Sequence, residues 1–126
     1  MAGGKELEMQ LEREAKAFQT IQKEIQKNHQ LRQQFKTQLG ENELVKTELD
    51  ILDDESNVYK LIGPVLVKQD LVEAKANVDK RIEYISGETK RLDGALKDLE
   101  RKASEKRQEV MKMQQRLQDL RSQAAK

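Results

Sequence analysis

The sequence predicts a mostly α-helical chain, folded as a long antiparallel coiled coil with one β-hairpin at its base. Apolar residues recur at alternating steps of four and three residues on both sides of the chain centre, which is typical of coiled-coil helices. Between residues 56 and 70 this rhythm stops. Only 3% of the residues are aromatic and 37% are charged, so the chain lacks the large side chains that fill a globular interior.

The first helix is predicted over residues 5–54. Its seam, meaning the row of positions that faces a partner helix, is mostly apolar. Polar residues occupy the seam at Glu14, Asn28 and Arg32, where such groups usually fix the register at some cost in stability. The apolar seam residues are Leu7, Leu11, Phe18, Ile21, Ile25, Phe35 and Leu39, followed after a spacing shortened by one residue by Val45, Leu49 and Leu52.

The acidic cluster of Asp53, Asp54 and Glu55 predicts the end of this helix, because negative charges are unfavourable at the negative end of the helix dipole. A divalent-cation site is the alternative interpretation of such a cluster. No glycine or downstream glutamate completes an EF-hand pattern, so we prefer the role of a helix stop and expect no metal.

Residues 56–69 are predicted to form the β-hairpin. Two short apolar runs flank Gly63-Pro64, a pair of residues that favours a turn. Two strands of about five residues are marginally stable in water, and here both faces carry apolar side chains. The hairpin is therefore expected to need partner strands.

The second helix is predicted over residues 70–124. Asp70 and Glu73 have the spacing of an N-terminal capping box. From Val78 onward the seam is apolar except at Thr89 and Lys106. A single chain that reverses through a short hairpin must bring its two seams together antiparallel. The expected facing pairs are Leu7 with Leu117, Leu11 with Met113, and Phe18 with Lys106.

Several function classes are disfavoured by composition. The chain has no cysteine and only one histidine, His29, and it has no glycine-rich phosphate loop, so we expect neither an enzyme nor a bound cofactor. No apolar run approaches the length that spans a membrane. The basic residues near the C-terminus alternate with glutamates and lack aromatic neighbours, so nucleic-acid binding is not expected. A cytoplasmic location is expected.

The end of the coiled coil that carries both chain termini holds flexible apolar side chains. Met9 and Met111 lie off the seam there, and methionine surfaces adapt to varied partners. For the seam residues beside them, ordinary coiled-coil packing is the interpretation that the residues alone favour. We expect an extended, non-native apolar segment to reach the side chains there, called the candidate client-binding residues below, which are Leu7, Met9, Leu11, Val110, Met111, Met113, Leu117 and Leu120.

The segments NVYKLIGPVLVKQD and LVEAKANVDKRIEYISGE, together with the helix before them, resemble the β-type subunits of prefoldin. The resemblance extends over essentially the whole chain, so residues 1–126 are expected to form a single subunit of this type. It implies a heterohexamer of two α-type and four β-type subunits, whose hairpins join in an oligomeric β-barrel. The hairpin residues expected in that assembly are Val58, Tyr59, Leu61, Ile62, Val65, Leu66 and Val67.

The resemblance further implies an ATP-independent chaperone. Such a protein binds unfolded chains, notably actin and tubulin, at its coiled-coil tips and delivers them to the cytosolic group II chaperonin. The alternative is a structural coiled-coil adaptor or spacer, which would use the same seams to set a distance. A spacer has no need for an apolar hairpin in the middle of the chain, and this feature separates the two hypotheses.

Overall fold

The computed structural model describes residues 2–125 as two long helices joined by a β-hairpin. Helix α1 spans Ala2–Asp50, strand β1 Val58–Ile62, strand β2 Val65–Gln69, and helix α2 Leu71–Ala125. The prediction of a mostly helical chain with one hairpin is confirmed. Whether the hairpin joins a barrel is a question about the assembly and stays a prediction.

Helix α1 ends earlier than its predicted end at residue 54. The backbone N–H of Leu52 donates to the C=O of Leu49 (3.2 Å), which tightens the chain after the last helical turn. One carboxylate oxygen of Asp53 then accepts hydrogen bonds from the backbone N–H of Glu55 (3.1 Å) and from the hydroxyl of Ser56 (3.0 Å). An aspartate side chain that bonds to the backbone in this way stabilises a turn in place of a helix.

The start of each helix also differs from its predicted position by a few residues. Helix α1 begins at Ala2 and includes Gly3 and Gly4, which precede its predicted start at residue 5. Helix α2 begins one residue after the predicted position. Asp70 is its N-cap residue, because its C=O accepts the first helical hydrogen bond from the N–H of Ala74 (2.8 Å).

The hairpin closes through a two-residue turn. Ile62 and Val65 are paired across it, and the register continues to Val58 opposite Gln69. Gly63 has a φ of 59°, and proline fixes the φ of the next residue near −65°, a combination that matches a type II′ turn. The twist of this turn suits paired strands.

The described chain divides into two compact units. The terminal unit comprises the described parts of residues 1–30 and 93–126, and the hairpin unit comprises residues 31–92. Both units are built around the predicted seam: Leu7 and Leu117 are buried in the terminal unit, and Ile85 and Leu92 in the hairpin unit. Asn28 is the buried polar residue of the seam.

Candidate functional site: an exposed hairpin and a terminal groove

The hairpin presents apolar side chains on both of its faces. Because paired residues share a face, the register places Tyr59, Leu61, Leu66 and Lys68 on one face and the remaining strand residues on the other. Leu61 and Leu66 face each other, yet each is about two-thirds exposed, at 66% and 64%. We call the exposed apolar set the hairpin surface; it consists of Tyr59, Leu61, Ile62, Val65, Leu66 and Val67.

Val58 differs from the other predicted assembly residues. It is half-buried and packs against a cluster in which Leu49 of helix α1 meets Ala74 and Val78 of helix α2. This contact fixes the start of β1 on the helices. Val58 therefore anchors the hairpin to the helices, whereas the residues of the hairpin surface, which come after it in the sequence, are exposed.

Each strand of the hairpin has an open edge. Among the described residues the sheet contains two strands, so the outer side of each strand has no neighbour. In a two-residue hairpin the residues beside the turn are hydrogen-bonded to each other, and bonded and non-bonded pairs alternate from there. The N–H and C=O groups of Tyr59 and Leu61 consequently point away from β2. Such an edge is a template for an added strand.

A groove lies beside β1 within the hairpin unit. Its volume is about 270 Å³. It is lined by Val45 and Leu49 of helix α1, by residues 58–61 of β1, by Gln69 of β2, and by Ala74, Asn77, Val78 and Arg81 of helix α2. Sequence reasoning did not find this groove, because seam spacing indicates Val45 only as a packing residue and no pattern in the sequence indicates Ala74.

A second and larger groove, of about 750 Å³, lies in the terminal unit. Three of the predicted client-binding residues, Leu11, Val110 and Leu117, line it. Glu8 and Arg121 also line it, and they form an ion pair of 3.0 Å between the two helices. Hereafter this is the terminal groove.

The remaining candidate client-binding residues differ in their exposure to solvent. Met9 and Met111 are exposed, at 62% and 58%. Leu7 is 6% exposed and packs inside the seam, while Met113 and Leu120 are half-buried. A partner that touches Met9 or Met111 meets an accessible side chain, whereas contact with Leu7 requires the two helices to separate.

Two polar seam residues of the terminal unit bind each other. The Lys106 ammonium donates to a carboxylate oxygen of Glu14 at 2.7 Å, and Glu109 lies 3.7 Å away on the other side. The Lys106 hydrogen bond lowers the pKa of the Glu14 carboxyl, and the same bond raises the pKa of Lys106. Lys106 therefore contacts Glu14, and the expected facing of Phe18 and Lys106 stays a prediction.

The described residues hold neither a metal cluster nor a membrane span. Among residues 2–125, no group of three His, Asp or Glu side chains is arranged to bind a metal ion. Within the same range, neither helix is apolar enough over a sufficient length to cross a membrane. Of the acidic residues after helix α1, Asp53 uses its side chain in the turn described above.

Comparison with known proteins identifies the family. A family model for prefoldin subunits matches residues 12–117. The chain belongs to the prefoldin subunit family. It is 60% identical over 122 residues to prefoldin subunit 6 of Arabidopsis thaliana, covering 97% of this chain and 95% of that relative. It is 45% identical over 120 residues to prefoldin subunit 6 of Homo sapiens, covering 95% and 92%.

The fold agrees with this assignment. The crystal structure of the prefoldin beta subunit from Thermococcus strain KS-1 superposes with a TM-score of 0.75 and covers 82% of this chain and 90% of that one. At 24% identity this is a likeness of fold. The resemblance to β-type prefoldin subunits, and to eukaryotic subunit six in particular, is confirmed. The chain is thus a chaperone subunit that assembles with other prefoldin subunits.

Proposed function

We propose that this prefoldin subunit holds unfolded proteins at its terminal groove and enters its complex through the hairpin surface. The complex is a heterohexamer of two α-type and four β-type subunits in the cytoplasm, with the hairpins joined in a β-barrel. Its clients include unfolded actin and tubulin, which it delivers to the group II chaperonin without ATP and without catalysing a reaction.

The hairpin surface is the observation that carries the assembly half of the proposal. Six apolar side chains among the ten strand residues of the hairpin are exposed, and within the described chain both strand edges are open. Burial of apolar surface stabilises by about 25 cal/mol per Å², so covering this surface is strongly favourable. A spacer or adaptor would leave it exposed to water.

Met9, Met111 and the terminal groove support the client-binding half. An unfolded chain offers apolar side chains in no fixed arrangement, and flexible thioether side chains adapt to many shapes. Each contact of this kind is weak. Several subunits that hold one client at once gain affinity through multivalency, and release stays easy because every single contact breaks readily.

Client holding is tested with hexamers assembled from this subunit and its five partners. The variant Met9→Lys with Met111→Lys adds charge at the two exposed methionines. The matched control, Gln10→Lys with Gln108→Lys, adds the same charge at exposed polar positions on the same helices. Denatured actin is diluted into each hexamer, and aggregation is followed by light scattering.

We expect the methionine variant to suppress aggregation at least twofold less well than the control, with hexamer mass unchanged in both. Equal suppression by the two intact hexamers would contradict a client-binding role for these methionines. Reduced suppression by the control as well would show that added charge, and not loss of methionine, is responsible.

A further inference from the structure

The sulfur atoms of this chain all belong to methionines, and all of these methionines fall in the terminal unit. The sequence has four methionines and no cysteine. The methionines stand at positions 1, 9, 111 and 113, and none falls in residues 31–92. Thiols and thioethers are the side-chain groups on which mild oxidation acts. Such oxidation therefore modifies the terminal unit and finds no sulfur in the hairpin unit.

The three methionines among the described residues differ in their access to solvent. Met9 of helix α1 is 62% exposed and Met111 of helix α2 is 58% exposed, whereas Met113 is half-buried. A side-chain sulfur is oxidised more readily the more it is exposed. An oxidant in solution is therefore expected to modify Met9 and Met111 before Met113.

Both exposed methionines adjoin the terminal groove along the sequence. Met9 directly follows Glu8, and Met111 directly follows Val110. Glu8 and Val110 are among the residues that line the groove, one on each helix. A chemical change at the two methionines consequently alters the surface next to the groove on both helices.

Oxidation changes the property for which these methionines are suited. A peroxide transfers one oxygen atom to the thioether: its O–O bond breaks, a lone pair of the sulfur forms the new S–O bond, and hydrogen peroxide is reduced to water. The sulfoxide that results is polar and chiral, whereas the thioether was apolar. Covering a polar group without a hydrogen-bond partner is unfavourable, so an apolar client segment binds the sulfoxide less well.

From these observations we infer that Met9 and Met111 form a reversible oxidation site, at which conversion of both thioethers to sulfoxides by a peroxide lowers client holding. The inference rests on the proposed client-binding role of these two residues. It goes further by naming a modification, the class of oxidant and the route back. Methionine sulfoxide reductases reverse the step, with one enzyme for each sulfoxide epimer. A thiol supplies the two electrons, and the oxygen leaves as water.

The order of oxidation is the first test. Hexamers assembled from this subunit and its five partners are incubated with hydrogen peroxide, and the sulfoxide at each methionine is followed over time by peptide mass spectrometry. We expect Met9 and Met111 to be oxidised about fivefold faster than Met113, or more. Equal rates at the three positions, or the fastest rate at Met113, would overturn the inference.

Two leucine variants test the effect on client holding. Met9→Leu with Met111→Leu keeps apolar side chains at the exposed positions but removes their sulfur, and Met113→Leu removes the half-buried sulfur instead. Each hexamer is treated with the same amount of peroxide and compared with its own untreated sample in the actin aggregation assay. Oxidation of the partner subunits is then common to all three hexamers.

We expect peroxide to reduce suppression of aggregation at least twofold more in the parent and Met113→Leu hexamers than in the hexamer with Met9→Leu and Met111→Leu. Treatment with both reductases and a thiol should restore the parent, and its hexamer mass should stay unchanged throughout. Equal losses in all three hexamers would overturn the inference. So would a loss in the parent that persists after mass spectrometry shows the sulfoxides to be reduced.

The lysine variant of the same two methionines separates the inference from the proposal beneath it. Suppose that Met9→Lys with Met111→Lys weakens client holding relative to its glutamine-site control, while oxidation of the parent does not. The client-binding role then stands and the oxidation inference is wrong. If neither lysine substitution nor oxidation weakens holding, the client-binding role itself fails, and the inference fails with it.

Discussion

The seam of the terminal unit and the hairpin of the hairpin unit use the same kinds of apolar residue in opposite ways. In the terminal unit Leu7 and Leu117 are buried between helices of one chain. In the hairpin unit Leu61 and Leu66 face each other across two strands and remain exposed. Two packed helices can cover a narrow seam, but a two-stranded sheet has no second layer to cover either face. Stability of the chain is therefore expected to depend on the seam, and assembly on the hairpin.

A charge substitution on the hairpin surface is the strongest test of this difference between seam and hairpin. Leu61→Lys with Leu66→Lys would require two charges to enter an interface, and burying an unpaired charge is strongly unfavourable. We expect affinity for the partner subunits to fall by about 100-fold or more, with helical content and melting temperature nearly unchanged. Co-purification with tagged partners and circular dichroism measure the two quantities.

The control for this variant is the methionine pair of the terminal unit. Met9→Lys with Met111→Lys introduces the same number of charges at equally exposed sites. Assembly should survive it. If both variants lose assembly to the same extent, added charge alone is harmful and the contrast between the two units does not hold.

The seam provides the complementary test. Ile85 is 4% exposed, and the adjacent Tyr84 is 64% exposed. Truncating a buried isoleucine to alanine typically destabilises a protein by about 2–4 kcal/mol, while truncating an exposed side chain changes stability by about 0.5 kcal/mol or less. Urea denaturation of Ile85→Ala and Tyr84→Ala should show this difference. Equal effects would mean that Ile85 does not contribute to the seam as its burial indicates.

Periodicity accounts for the part of the fold that the sequence predicts well. The four-three spacing places Ile85, Leu92 and Leu117 on the seam, and all three are buried. Gly63-Pro64 locates the turn, because glycine and proline favour the two φ values that this turn requires. These features depend on local geometry, which neighbouring residues determine.

Features that depend on how the elements meet were less predictable. Glu14 and Lys106 are each recognisable as polar seam positions, but their hydrogen bond depends on which long side chains reach across the seam, and spacing alone does not show this. The groove beside β1 depends on the angle at which the hairpin leaves the helices. The early end of helix α1 has a local cause instead, because the side chain of Asp53 competes for backbone hydrogen bonds.

A smaller effect is expected from the turn. Gly63→Ala places a side chain at a φ of 59°, a left-handed conformation that costs an L-residue about 1–2 kcal/mol. A Cβ at this position would meet no atom within 4 Å among the described residues, so the penalty comes from the backbone alone. If the hairpin must be formed to assemble, affinity for the partners should fall by about five- to thirty-fold.

Seam stability should be unaffected by the same change. The melting temperature of the isolated Gly63→Ala chain is expected to match that of the parent within error. A fall in melting temperature without a loss of affinity would contradict the assignment of stability to the seam and of assembly to the hairpin.

The smallest effect is expected from the Glu14–Lys106 pair, and it depends on pH. The pKa of Glu14 is lowered from its ordinary value of 4.5, chiefly by the Lys106 hydrogen bond, so its stabilisation is present above that value and is lost as pH falls. The pKa of Lys106 is raised above 10.5 by the same bond, so its stabilisation is present below 10.5 and is lost as pH rises. Both contributions are complete at neutral pH.

Acid titration of the melting temperature tests this pair. Glu14→Gln removes the charge but keeps a hydrogen-bond acceptor, so its melting temperature should fall less steeply than that of the parent chain between about pH 5 and pH 3. Glu6→Gln, an exposed carboxylate on the same helix, should follow the parent curve. If Glu14→Gln also follows it, the pair does not stabilise the terminal unit. The polar seam positions would then matter only for the register in which the helices meet.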